Sequence, residues 1–140
     1  MEALDSRINT RIPRRMKDDL AALSKRRQVD ESDLARALLD EGLRREKHPG
    51  IVFRSTPSGR EAAIEGRRLY IWQVMETVRG SQSNIDEAAE YLAIRPDQVR
   101  SAVDYYVEYG PEIDQLIEEN LAEATRAHER WAKQQQALGS

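Results

Sequence analysis

Arg7, Asn9 and Arg11 alternate with Ile8, Thr10 and Ile12 in the run from Ser6 to Pro13. A guanidinium grips guanine, and a carboxamide grips adenine, through paired hydrogen bonds in the major groove. Spacing of two puts these three side chains on one face of a short strand and the apolar trio on the other. A lone strand does not survive in water, and no second strand follows, because Pro13 ends the run and two helical patterns come next. The simplest partner is the same strand from a second copy of the chain. Pairing the two gives a two-stranded ribbon that fits the major groove of double-stranded DNA.

Two helices must position such a ribbon. Met16, Leu20 and Leu23 recur at helical spacing as far as about Gln28. A second helix begins after Val29, with Asp30 and Asp33 placed as in a capping box and Leu34, Ala37, Leu38 and Gly42 along one face, which Leu39 and Leu43 broaden. With strand, helix and helix in that order, residues 6–46 resemble the ribbon-helix-helix family of bacterial repressors and antitoxins. The resemblance implies an intertwined homodimer in which Arg7, Asn9 and Arg11 read bases and the backbone amides of Glu31 and Ser32 hold a phosphate. Helix N-termini do favour anions. Asp30, Glu31 and Asp33 depart from that picture, since three carboxylates beside a phosphate repel it. Either they point outward as partners of their own helix dipole, or the phosphate contact there is weak.

The net charge of −3 is unevenly spread. Residues 1–47 hold 12 basic against 10 acidic side chains, leaving 10 against 15 in residues 48–140. Arg14, Arg15 and Lys17 extend the basic patch of the first part, and a local patch sets phosphate contacts. With 140 residues, 39% hydrophobic and 34% charged, the chain suits two small domains. It has no cysteine, which excludes disulfides and thiolate zinc sites. No apolar run approaches the roughly 18 residues of a membrane span, and residues 1–5 lack the pattern of a signal peptide. The expected location is the cytoplasm.

Lys47-His48-Pro49-Gly50 punctuates the chain. Residues 51–55 and 61–64 then read as a hairpin about the turn Thr56-Pro57-Ser58-Gly59. Helices follow from Leu69 to Val78, from Ile85 to Leu92, and after Pro96. A hairpin with three helices suggests a winged helix-turn-helix. His48-Pro49-Gly50-Ile51, Gly59-Arg60, Ile64-Glu65-Gly66-Arg67-Arg68-Leu69, Trp72, Ile85 to Leu92 and Val99 to Tyr106 make residues 48–120 similar to the antitoxin-like domain of unknown function numbered four-three-three. Fewer glycines between residues 52 and 58 set the chain apart from that family. The resemblance implies a toxin as partner. Arg95, Gln98, Arg100 and Ser101 offer a second DNA or partner surface, although Asp97, Asp104 and Glu108 share their helix.

After Gly110-Pro111 a further stripe of Ile113, Leu116, Ile117, Leu121, Ala124, Ala127 and Trp131 runs between acidic residues. That face must fold back, pair with its twin, or fill a toxin's groove. Tyr105, Tyr109, Ile113, Ile117, Leu121 and Trp131 are the candidate toxin or partner contacts, and the end from Lys133 is expected to fray. His48 and His128, the only histidines, form no metal or nucleophile motif, so neither an enzyme nor a cofactor is expected. The sequence thus predicts a mainly α chain with short β: a ribbon-helix-helix domain over 1–47, a winged-helix-like domain over 48–110, and a helical tail over 111–140. The expected role is a homodimeric DNA-binding autorepressor and the antitoxin of a small nuclease toxin. The alternative is a toxin-binding or scaffold protein whose ribbon serves only dimerisation.

Overall fold

A computed structural model describes residues 2–139. The order of elements is α1 (Arg14–Arg27), α2 (Glu31–Lys47), β1 (Ile51–Thr56), β2 (Gly59–Ile64), α3 (Ile71–Gly80), α4 (Ile85–Leu92) and α5 (Pro96–Ala137). The chain divides into two compact units, Met1–Arg44 and Arg45–Ser140.

In the first unit, residues 2–13 form no regular structure, and the segment read as a strand over 6–12 joins no ladder. Pro13 lies in the extended region (φ −61°, ψ 150°) immediately before α1, where its missing N–H costs the helix nothing. Gln28 ends α1 in the left-handed region, its N–H donating to Lys25 and Ser24 carbonyls. The Asp30 carboxylate then accepts from the Ser32 amide at 2.9 Å and from Asp33 at 3.4 Å, opening α2. The reciprocal half of the expected box is replaced by another contact, since the Asp33 carboxylate accepts from Arg36 one turn on. Lys17 pairs with Glu31 at 2.7 Å, tying the two helices together. Leu34, 2% exposed, is the one buried side chain among the described residues of this unit.

The second unit holds the core. β1 and β2 pair antiparallel in register, Ile51 opposite Ile64 and Thr56 opposite Gly59, so Thr56 to Gly59 is the tight turn the sequence predicts. Gly59 takes φ +121°, open only to glycine at low cost. Ile51, Ala62 and Ile64 of the hairpin pack with Ile71, Val74, Met75 and Val78 of α3, Ala88 and Ala89 of α4, and Val99, Ala102, Tyr105 and Ile113 of α5. The small residues of α4 let it approach its neighbours closely. Asn84 caps α4 by accepting from the Glu87 amide at 2.9 Å. Helix α3 begins at Ile71, two residues later than the periodicity suggests, because the Tyr70 N–H donates to the Gln73 side chain and fixes the start there.

Within α5 the two anticipated helices meet at a kink beside Gly110-Pro111, where the sequence breaks them. Pro111 has no N–H to offer the carbonyl of Val107, and Tyr109 (φ −120°, ψ 30°) leaves the helical region, so two helical stretches join across a kink. Beyond the bend the helix runs to Ala137, so residues 133–137, expected to fray, are helical.

Candidate nucleic-acid interface and partner surfaces

Arg7, Asn9 and Arg11 are all exposed in the unstructured opening segment. So are Ile8 (74% exposed) and Ile12 (43%), whose chemistry calls for burial. Beside them, a groove of about 450 Å³ runs along α1 and α2, lined by Ile12, Met16, Leu20, Leu23, Leu38 and Leu39 with Asp19 and Ala35. The unit therefore presents Arg7, Asn9 and Arg11 next to an uncovered apolar surface. The spacing of the sequence marked these apolar residues as core; within one chain they line an open trough.

The two helix starts of this unit differ electrostatically. At α2 the Ser32 amide is already satisfied by the Asp30 carboxylate, and Glu31 engages Lys17. An incoming phosphate would compete with the Asp30 carboxylate for the Ser32 amide. At α1 there is no side-chain cap and no acidic residue in the first turn, while Arg14 and Arg15 are exposed there. This end presents free N–H groups and positive charge together, the combination that attracts anions.

In the second unit the proposed recognition residues are largely spent on their own helix. Arg95 donates to Asp97 at 3.0 Å, the Gln98 side chain accepts from the Arg95 amide at 2.9 Å, and the Ser101 hydroxyl donates to the Asp97 carbonyl at 3.0 Å. Arg95, Gln98 and Ser101 border a crevice of about 170 Å³ that also contains Glu65 and Asp97. Two carboxylates there disfavour a nucleic-acid backbone. Arg100 stays exposed on the outer face of α5.

Of the candidate partner residues, Tyr105 and Ile113 are fully buried. Both are corrected from surface to core: Tyr105 meets the rings of His48, Phe53 and Tyr109, and Ile113 sits within the same cluster. Tyr109 and Ile117 are half-buried against that core, whereas Leu121 (65%) and Trp131 (55%) are exposed. The tail therefore splits, folding onto the core as far as Ile117 and standing clear of it beyond.

Three polar clusters escape sequence reading because their members are far apart in the chain. Glu108 accepts from Lys47 and meets His48 Nε2 at 2.7 Å. Its carboxyl is held down at about 2, first by the Lys47 ammonium and then by His48, and the Lys47 ammonium is raised by Glu108 in return. Arg79 donates to Asp114 at 3.0 Å and to the Tyr106 hydroxyl at 2.6 Å, lowering the Asp114 pKa and joining α3 to both sides of the bend in α5. Glu61, nearly buried, accepts from Thr56 at 2.7 Å and from the Trp72 indole at 3.2 Å. Among the described residues no group of three or more His, Cys, Asp or Glu is arranged to hold a metal, and no helix is long and apolar enough to cross a membrane.

Comparison with known protein families, curated proteins and solved structures finds no match to this chain. The functional reading therefore rests on the geometry and chemistry of these surfaces alone.

Proposed function

We propose that the protein is a homodimeric, sequence-specific DNA-binding regulator that represses its own promoter and acts as the antitoxin of a toxin-antitoxin pair. One observation carries the reading: the opening segment displays Arg7, Asn9 and Arg11 beside an open apolar groove, in a unit with a single buried side chain. Such a unit has too little core to be stable alone. A second copy supplies both missing parts, a strand to pair with residues 6–12 and apolar side chains to cover Ile12, Met16, Leu38 and Leu39. The paired strands then carry two sets of reading side chains on one face, sized for the major groove. Phosphate contact falls to the start of α1, where Arg14 and Arg15 flank uncapped amides, in place of the Asp30-capped start of α2. The second unit is read as a winged-helix-like module, and the exposed part of α5 as a surface for association.

Anisotropy titrations of DNA from the chain's own promoter test this. Arg11→Ala is expected to cost about 1–3 kcal/mol on the preferred sequence and to relax the choice of base. Arg14→Ala is expected to weaken all sequences alike and to flatten the dependence on salt. The second reading, a toxin-binding scaffold whose ribbon only dimerises, draws support from the carboxylates that crowd the start of α2. Binding indifferent to salt and to Arg11 selects it over DNA recognition.

A further inference from the structure

Past Ile117 the second unit leaves α5 uncovered, and every described side chain from 118 to 134 is exposed. Along this stretch Ile117, Leu121, Ala124, His128, Trp131 and Gln135 alternate steps of four and three, a seven-residue repeat. That repeat suits a seam between two helices. We propose that this segment is a second self-association surface, in which the tail of one copy pairs, parallel and in register, with the tail of another.

The charges select the occupant. Beyond Glu118 at the inner end, the positions flanking the seam are Asn120, Thr125, Ala127, Ala132 and Gln134, all uncharged. Charged groups instead gather on the far side, where Glu123 pairs with Arg126 at 2.8 Å and with Arg130 at 3.4 Å. A heterologous partner chosen by charge needs charged flanks, because those positions set partner choice in paired helices; a twin does not. Ala127 and Ala132 beside Trp131 leave room for two indoles in one layer.

Polar layers select the direction. In register and parallel, His128 meets His128 and Gln135 meets Gln135, and each of these groups both donates and accepts a hydrogen bond. Antiparallel pairing sets His128 against Ala124 instead, which leaves the imidazole unmatched within the seam. The imidazole of His128 already lies stacked on Trp131, with centroids 5.9 Å apart. A seam this short is weak by itself. It rests on the first-unit dimer proposed above, which raises one tail's effective concentration about the other to the order of millimolar.

Because the chain has no cysteine, a single introduced thiol in the full-length protein reports on the seam without ambiguity. Under mild oxidation, Ala124→Cys is expected to form an interchain disulfide at least about tenfold faster than Glu123→Cys on the far side. Adding Trp131→Glu to the Ala124→Cys variant should abolish that advantage while the mass by light scattering stays dimeric. Equal rates at the two positions in a protein of dimeric mass overturn the seam and leave the first-unit dimer standing. A monomeric mass with no crosslink at either position overturns both.

Discussion

Glu61 shows how a single side chain can hold a sheet to a helix. Its carboxylate lies almost out of water and accepts from Thr56 on the partner strand and from Trp72 on α3. Glu61→Ala strands the indole N–H and is expected to destabilise the second unit by about 1–3 kcal/mol, with Glu61→Gln milder, as read by denaturant unfolding. Glu108 is the exposed counterpart. With its pKa at about 2, below the usual 4.5, it contributes stability above that usual value, and the contribution fades as pH falls towards 2. Lys47, raised above 10.5, contributes below that value and loses the contribution as pH climbs through it. Thermal unfolding across pH should therefore fall off at both ends in the native chain, and Glu108→Gln should flatten both limbs. A variant whose profile matches the native one at low pH and at high pH would remove Lys47 and Glu108 from the account.

At the level of elements, two helix ends carry opposite lessons. Asp30 caps α2, so Asp30→Ala should lower stability by about 1 kcal/mol. It should also strengthen DNA binding in the same titrations, since the Ser32 amide becomes free to meet phosphate. Ala93 ends α4 in the left-handed region (φ 56°) and carries a Cβ there. Replacing it with glycine should raise the melting temperature by removing a strain of about 1 kcal/mol. Much of this architecture was readable from the residues. Apolar spacing located α1, α2 and α4, Thr56 to Gly59 announced the hairpin turn, and Pro96 marked the start of α5. Gly110-Pro111 marked the break between the two helical stretches of α5, and Tyr109 leaves the helical region beside them. The packing of Tyr105 and Ile113 into one core on either side of the kink was not legible. Nor was the burial of Tyr105: a tyrosine reads as amphipathic, and the rings of His48 and Phe53 that enclose it lie some 50 residues away. The occupation of the Ser32 amide was half-visible in Asp30, Glu31 and Asp33, whose charges hinted at it without showing which one turns inward.

For the whole molecule, the contrast between the units sets the order of events on heating. The second unit closes around a continuous core, while the first buries Leu34 and little else. Two transitions are expected in calorimetry. The one belonging to the first unit should rise with protein concentration, because the proposed homodimer draws its stability from association, by about 1.4 kcal/mol for each tenfold increase. A first transition that ignores concentration would falsify the dimeric trough. One more consequence lies in α5, where the face that buries Ile113 and lodges Ile117 against the core is continued by Leu121. Each residue inserted between Ile117 and Leu121 turns everything downstream by about 100°. Insertions there are thus quantised: a full heptad preserves the alignment of the outer half with the inner one to within about 20°, whereas one or two residues swing Trp131 round to a different side.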